Sequence, residues 1–288
     1  MSIISTLEDW VNSVIKKLFP VWYISQVVRG QELPAIGALN PPSFLSHRWL
    51  SLQSVVKNTQ EALVKQEGDW QEFLRLIGQL IKEADYSRFV SLLEIKGVQH
   101  SQVSNDYISL VGYAQENSGE VEINNAEDFE EVFAQAFPSE NKPFPMAYRE
   151  WDGRYYYLNQ DEPTLLAALQ KYAYENKRDM TLQCKLKVES LAPKVLDKLQ
   201  HDWWMIVLEN STAENLAKLM QDSGLAVALS DFSWHRDDIS LLIASKKDKS
   251  INRIFLNLID QRSVNVVSEF GSFLGRHHYP LVTDENRG

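Results

Sequence analysis

The chain has 288 residues, of which 44% are hydrophobic and 24% are charged, and its formal net charge is −10 at pH 7. This composition is ordinary for a folded protein with a buried core, and the length allows one large domain or two modest ones. The single cysteine excludes an internal disulfide, and no apolar stretch is long enough to predict a membrane span. Since the N-terminal residues also lack a signal-peptide pattern, we expect a cytoplasmic protein of bacterial or phage origin.

The charge is unevenly distributed along the chain. Residues 1–140 contain 10 Lys and Arg against 19 Asp and Glu, whereas residues 141–288 contain 19 against 20. The acidic first half disfavours non-specific nucleic-acid binding, and the nearly neutral second half leaves nucleic acid open as a partner. An acidic total is also common in proteins that have no charged partner.

The first half is predicted to be rich in helices. Residues 5–19 have an amphipathic helical pattern that Pro20 is expected to end, and residues 21–42 are expected to be irregular. The remaining predicted elements of this half are helices at 45–64, 69–81 and 125–137 and strands at 89–95, 107–113 and 121–123. The prolines in residues 139–145 indicate a domain boundary or a long connection.

The second half alternates between strands and helices. Residues 181–188 alternate apolar and polar side chains, which predicts a strand with one solvated face. The apolar run at 203–208 predicts a strand that is covered on both faces. The other predicted elements are strands at 154–158, 225–229, 239–244 and 254–259 and helices that begin at Pro163, Pro193 and Ser211. Residues 262–276 fit either a helix or a strand.

Together these elements predict an α+β fold (mixed α/β), with a helical N-terminal part and a mixed β-sheet on which helices pack. We expect a helix-rich acidic region with a few strands at residues 1–140. A mixed αβ region is expected at residues 146–288, either separate from the first region or continuous with it as one domain.

Residues 150–174 contain a strand, a turn and a helix in succession. The strand opens with Trp-Asp-Gly-Arg-Tyr at 151–155, and the helix contains Leu-Ala-Ala-Leu at 166–169. This pattern resembles the strand–turn–helix of the ParB/sulfiredoxin-like fold. In that family a Gly and a basic residue of the turn hold a nucleotide phosphate at the N-terminus of the helix.

The corresponding turn of this chain, residues 159–164, departs from that family's pattern. Asp161 and Glu162 bring two carboxylates to the start of the helix, where they interact favourably with the helix dipole and would repel a phosphate. Pro163 removes one backbone donor from the same place. The resemblance therefore implies architecture alone, and it assigns no catalytic residue.

Residues 234–238, Trp-His-Arg-Asp-Asp, form the densest cluster of reactive side chains and lie between two predicted strands. His235 beside Asp237 and Asp238 has the residue types of a general acid–base site. No spaced set of partner ligands accompanies them, so no metal site is predicted. Polar residues in a hairpin turn give the same pattern. Asp152, in the Asp-Gly turn, is the remaining catalytic candidate.

Ligand-binding candidates come from the aromatic strand at 154–158. Arg154, Tyr155 and Tyr157 have side chains that stack on nucleic-acid bases. Strand alternation places Tyr155 and Tyr157 on one face and Tyr156 on the other, and at least one of these faces is expected to be core. The other ligand-binding candidates are Arg236, His277 and His278.

No Gly-rich phosphate loop, Walker-type loop or Gly-x-Ser-x-Gly element is present, and no cofactor is predicted. Cys184 falls in the inward register of its strand, so we expect a buried thiol. The sequence thus favours a cytoplasmic accessory or regulatory protein that binds another macromolecule, most readily a protein, over an enzyme. The alternatives are a nucleotide-binding or hydrolytic protein with a degenerate ParB-like unit, and a DNA-associated protein that uses residues 141–288.

Overall fold

The fold is seen in a computed structural model that describes residues 14, 15, 17–30, 52–100, 121–137, 143–159, 163–231, 239–260, 268–270, 274, 279 and 281. The helices are α1 (Pro20–Gly30), α2 (Leu52–Leu63), α3 (Gln71–Ile77), α4 (Ala126–Ala136), α5 (Pro163–Glu175), α6 (Pro193–Asp202), α7 (Asn210–Gln221) and α8 (Lys249–Asp260). The strands are β1 (Ile81–Ser91), β2 (Ile95–His100), β3 (Phe144–Arg149), β4 (Arg154–Asn159), β5 (Thr181–Leu191), β6 (Trp203–Glu209), β7 (Val227–Asp231), β8 (Ile239–Ser245) and β9 (Ser268–Glu269). The predicted α+β fold is confirmed.

The chain forms two compact units, and neither is continuous in sequence. Among the described residues, unit 1 consists of those between 14 and 30, residues 53–80 and those between 193 and 276, whereas unit 2 consists of Leu52, those between 81 and 192, Tyr279 and Leu281. Each unit therefore takes residues from both sides of the boundary predicted at 139–145. Residues 139–142 of that segment lie outside the described part of the chain.

Unit 2 is built on a mixed five-stranded sheet in the order β1-β5-β3-β4-β2. Strand β5 is antiparallel to β1 and parallel to β3, and β4 is antiparallel to β3 and parallel to β2. Helices α4 and α5 place Phe129, Leu166 and Leu169 in the core that covers one face of this sheet. Helix α4 starts where predicted, because the Asn125 side chain accepts hydrogen bonds from two backbone N–H groups of its first turn.

The predicted alternation of β5 is confirmed. Leu182, Cys184 and Leu186 are buried in the core of unit 2, while Gln183 and Lys185 on the opposite face are exposed. The strand is longer than the predicted 181–188, since it pairs with β1 as far as Leu191. One face of the sheet is therefore solvated along the β1–β5 pair from Thr181 to Lys187, whereas Glu189 on the same face is buried.

Unit 1 contains an antiparallel sheet in the order β7-β8-β6-β9. As predicted for the apolar run, β6 is buried on both faces. Helices α1, α7 and α8 pack on the face that carries Trp204, Ile206 and Leu208. The ring of Trp203, the first residue of β6, lies 5.1 Å from the ring of Phe73 in α3.

The outer edge of β7 is covered by a side chain. Gln66, shortly after α2, donates a hydrogen bond to the Leu229 carbonyl (2.6 Å) and accepts one from the Leu229 N–H (2.9 Å). The side-chain amide therefore bonds both polar backbone groups of one strand residue, as a neighbouring strand would. This arrangement satisfies part of the sheet edge.

Residues 20–30 form helix α1, so the prediction of an irregular segment there was wrong. Pro20 begins this helix, because its missing N–H has no intrahelical partner in the first turn and its φ suits a helix. Ile24 and Val28 are buried in the core of unit 1. Of the predicted helix at 5–19, residues 5–13 and 16 lie outside the described residues, and Val14, Ile15, Lys17 and Leu18 are helical.

The predicted strand at 254–259 was also wrong, since these residues belong to helix α8. The Asp248 side chain accepts hydrogen bonds from the N–H groups of Ser250 (2.8 Å) and Ile251 (3.1 Å), which caps the start of the helix. The buried side chains follow helical spacing: Ile251, Ile254, Phe255 and Leu258.

Smaller differences concern the ends of elements. The segment 121–123 is not a strand, and β1 begins at Ile81, eight residues before the predicted strand. Glu209 rather than Ser211 caps α7, by accepting the Thr212 N–H. The predicted strand at 107–113 lies outside the described residues.

In the part of the chain that is described, no helix is both long and apolar enough to cross a bilayer.

Candidate functional site

The β3–β4 hairpin contains two of the sequence-predicted candidates, Asp152 in the turn and Arg154 at the start of β4. The Asp152 carboxylate accepts hydrogen bonds from the Arg154 backbone N–H (3.0 Å) and from the Tyr156 hydroxyl (2.6 Å). Gly153 between them has φ +69°, a conformation that glycine adopts without steric cost. These bonds run to the hairpin's own groups, so Asp152 stabilises the turn.

The environment of Asp152 alters its ionisation. Burial raises the pKa of the carboxyl from 3.8 to about 6, and this effect is opposed by the Arg149 guanidinium and by the hydrogen bond from Tyr156. Burial also raises the pKa of the Tyr156 hydroxyl well above its ordinary value, and the neighbouring carboxylate adds to that rise. The carboxyl is therefore the group of this pair that titrates near neutral pH.

Behind the turn lies a buried ion pair that the sequence analysis did not single out. Arg149 Nε is 3.0 Å from Glu189 Oε2, and both side chains are buried. The guanidinium carbon of Arg149 is 4.0 Å from the centroid of the Tyr156 ring, in a cation–π contact. The two charges lie directly opposite each other in the β3–β5 register. Only that register reveals the pair, because 40 residues separate the partners in sequence.

Tyr155 and Tyr157 share one face of β4, as predicted, and both pack in the core of unit 2. The ring of Tyr155 is 4.9 Å from that of Tyr148, and the ring of Tyr157 stacks at 4.7 Å on that of Phe144. Tyr156 on the opposite face is fully buried as well. These rings therefore contact side chains of the same protein.

A distant segment reaches the same hairpin through Tyr279. The Tyr148 hydroxyl donates a hydrogen bond to the Tyr279 carbonyl (2.9 Å), and the Tyr279 N–H donates to the Glu150 carbonyl. Leu281 is buried in the core of unit 2. The predicted candidates that precede Tyr279, His277 and His278, lie outside the described residues.

The predicted cluster at 234–238 follows β7 and precedes β8. His235, Arg236, Asp237 and Asp238 all lie outside the described residues, as do Asp161 and Glu162 before α5. Among the residues that the structure does describe, no three His, Cys, Asp or Glu side chains are grouped so that they could hold a metal ion. Cys184 is buried, and burial raises the pKa of its thiol to about 12. A thiol in that state is a poor nucleophile.

The first turn of helix α1 and the two residues before it present large apolar side chains to solvent. Leu18 is 64% exposed, Phe19 62% and Trp22 50%. We call these three residues the α1 apolar surface. The opposite side of the helix, with Ile24 and Val28, is packed into the core of unit 1. The helix is thus apolar on both sides, although one side is already buried.

A second exposed feature is strand β1, at one end of the sheet order in unit 2. Residues 82–87 are exposed. Tyr86 is 42% exposed and Phe89 is 65% exposed. On the solvated face, Lys187 lies 3.2 Å from Glu83, and Lys185 lies 3.6 Å from Asp85. These exposed cross-strand pairs contribute little to stability.

Comparison with known proteins identifies one family whose model matches this chain. The model of a family of unknown function (DUF6685) matches residues 85–283, which is more than half of the chain. The match starts within β1 and includes Tyr279 and Leu281. No curated protein and no solved structure matches the chain.

Proposed function

This chain belongs to the DUF6685 family of unknown function, and we propose that it is an accessory protein that works by binding another protein through the α1 apolar surface. The observation that carries this proposal is the exposure of Leu18, Phe19 and Trp22, each at least half exposed within five residues. Contiguous apolar side chains of this size on a folded protein mark interaction sites.

The spacing of these side chains fits recognition of a helix by an apolar groove. Leu18 and Phe19 directly precede α1, and the Tyr23 N–H donates a helical i to i−4 hydrogen bond to the Phe19 carbonyl (3.0 Å) across this junction. Leu18 and Trp22 are four residues apart and Phe19 and Trp22 are three apart, so helical geometry places the three side chains on one side. Amphipathic helices that dock into grooves present anchors at this spacing. Aromatic side chains, Trp above all, are enriched among the residues that contribute most to protein interfaces. The partner in this proposal is therefore a protein with an apolar groove.

The charge of the chain favours a protein partner over an anionic bilayer or a nucleic acid. The net charge is −10, so long-range electrostatics oppose approach to phosphate-rich surfaces. The candidate residues of the β3–β4 hairpin are a second argument for a binding protein, because their side chains have structural roles. Asp152 holds a turn, and Tyr155 and Tyr157 pack in the core, so these side chains are engaged within the fold.

The test is site-specific photocrosslinking in the native host. A photoreactive phenylalanine analogue replaces Phe19 or Trp22, and a control replaces Tyr174, which is 78% exposed at the end of α5 in unit 2. We expect a discrete crosslinked protein from positions 19 and 22 and none from position 174. Equal labelling at all three positions, or no crosslink at 19 and 22, contradicts the proposal.

The crosslinked partner then allows affinity to be measured on purified proteins. Trp22→Glu is expected to raise the Kd at least about 10-fold, because interface Trp residues are frequent hot spots. Tyr174→Glu is the control, since Tyr174 is exposed in unit 2 and lies outside the α1 apolar surface. It should leave the Kd nearly unchanged. Binding of anionic lipid vesicles that Trp22→Glu abolishes would replace the proposed protein partner with a membrane surface.

A further inference from the structure

Strand β1 has the features of a self-pairing edge. We propose that two copies of the chain join their β1 strands antiparallel about a two-fold axis through Tyr86, so that the two five-stranded sheets form one continuous sheet. This contact lies in unit 2 and is independent of the α1 apolar surface.

The edge is long and accessible. Strand β1 spans Ile81–Ser91, 11 residues, whereas strands of globular proteins usually have about 5–6. Within the described ranges it pairs with β5 alone, and residues 82–87 are exposed. Backbone groups on such an edge can pair with another strand, and proteins restrict this with charged side chains.

The charges on β1 disfavour several registers. A two-fold axis perpendicular to the sheet keeps each face continuous, so residues of the same face oppose each other. An axis through Asp85 would place Asp85 opposite itself and Lys82 opposite Arg88. An axis through Ala84 would place Glu83 opposite Asp85. Directly opposed like charges destabilise a strand pair, so both registers are disfavoured.

An axis through Tyr86 avoids these repulsions. It places Asp85 opposite Ser87, Glu83 opposite Phe89 and Tyr86 opposite itself. Tyr86 is also the middle residue of β1, so all 11 residues of the strand would pair with the second copy. Tyr86 pairs with Leu186 of β5 on the face that carries the core. The two Tyr86 rings would therefore extend that apolar layer across the axis, and paired aromatic side chains across strands are favourable.

The register is tested by disulfide crosslinking of the full-length protein. In Tyr86→Cys the two Cα atoms would lie about 4.5–5.5 Å apart, within the range of a disulfide. In Lys82→Cys the two cysteines would be offset by eight residues, roughly 27 Å along the strands. Mild oxidation should therefore give a covalent dimer of the first variant and none of the second. The buried Cys184 is not expected to react. Equal crosslinking of both variants, or none of Tyr86→Cys, overturns the proposal.

A charge test at Ser87 separates dimerisation from stability. Ser87→Asp would oppose Asp85 twice in the dimer, whereas Ser87→Lys would form two attractive pairs. By sedimentation equilibrium we expect the dimer Kd to rise roughly 2- to 30-fold for Asp and to fall by a similar factor for Lys. Within one copy, Ser87 faces Lys185, so the melting temperature should rise for Ser87→Asp, although the dimer weakens, and fall for Ser87→Lys, although the dimer strengthens. A Kd that does not change, or that falls for Ser87→Asp and rises for Ser87→Lys, overturns the register.

Discussion

At the scale of single residues, the hairpin β3–β4 depends on charged groups that are withdrawn from water. Arg149 and Glu189 form a buried ion pair, and Asp152 has a raised pKa next to Tyr156. Burying a charge is costly unless a partner compensates it. Substitutions here are therefore expected to affect folding much more than substitutions of the exposed ion pairs on β1.

Removal of the Glu189 carboxylate tests the buried pair. Glu189→Ala should lower the free energy of unfolding by about 3–5 kcal/mol, because the Arg149 guanidinium then loses its buried counter-charge. The control is Glu83→Ala, whose partner Lys187 is exposed, with an expected cost below about 1 kcal/mol. Urea denaturation measures both. Similar costs for the two variants would show that the buried pair adds nothing to the fold.

Titration of Asp152 should appear in the pH dependence of stability. Its folded pKa of about 6 lies above the ordinary 3.8, so the folded state binds the proton more tightly than the unfolded state. The contribution of Asp152 to the free energy of unfolding is therefore largest below about pH 4. It declines by about 3 kcal/mol as the pH rises to about 6, and it is constant above that.

The control for this titration is Asp152→Asn, which keeps an oxygen for the Arg154 N–H. The difference in unfolding free energy between wild type and this variant isolates the carboxyl from all other titrating groups. We expect that difference to change between pH 4 and pH 6, with wild type gaining relative stability towards pH 4. A difference that stays flat over this range would mean that Asp152 titrates at an ordinary pKa.

At the scale of elements, short-range patterns predicted those helices and strands whose ends are set locally. Three features were predicted correctly because each depends on residues that are adjacent in sequence: the alternation of β5, the apolar run of β6 and the Asn125 cap of α4. Helix α8 was missed although Asp248 caps it, since its apolar residues were interpreted as a strand. The Arg149–Glu189 pair was not predictable, because it depends on the register between distant strands.

The turn of the β3–β4 hairpin offers a test at this scale. Gly153 has a positive φ, and a Cβ there would lie 3.1 Å from side-chain atoms of Tyr279. Gly153→Ala should therefore cost more than the roughly 1–2 kcal/mol of a left-handed L-residue alone. Gly224→Ala is the matched control, because Gly224 has φ +75° and a Cβ there would meet nothing within 4 Å. Denaturant unfolding compares the two.

A second substitution identifies the source of the extra cost. In a Gly153→Ala background, Tyr279→Gly removes the side-chain atoms that the new methyl group meets, the Tyr279 Cβ and Cγ at 3.1 Å. The penalty of Gly153→Ala measured in that background should fall to that of Gly224→Ala. If the penalty is the same with and without the Tyr279 side chain, the contact between this turn and Tyr279 is not formed.

At the scale of the whole molecule, the discontinuous units were beyond the reach of sequence patterns. The prolines in residues 139–145 indicated a domain boundary. A compact unit, however, is defined by which segments pack together, and these segments can be distant in sequence. Leu242 in β8 is fully buried in unit 1, and residues 53–80 belong to the same unit. Local periodicity carries no information on that association.

Hydrogen exchange tests the composition of unit 1. Leu242→Ala should destabilise the protein by about 2–5 kcal/mol, because it leaves a cavity in a packed core. Since residues 53–80 and 193–276 form one unit, both are expected to lose amide protection together. The control is Leu169→Ala, in the core of unit 2, which should affect residues 81–192 first. Loss of protection confined to residues 193–276 in Leu242→Ala would contradict the shared unit.

The interlaced order of the two units also bears on synthesis at the ribosome. The core of unit 1 cannot form until β6 and its partner β8 have been synthesised, and at that point the core of unit 2 still lacks Leu281. The nascent chain therefore carries two unfinished cores at once for most of its elongation. A gene split between residues 192 and 193 would yield fragments of which neither holds a complete unit.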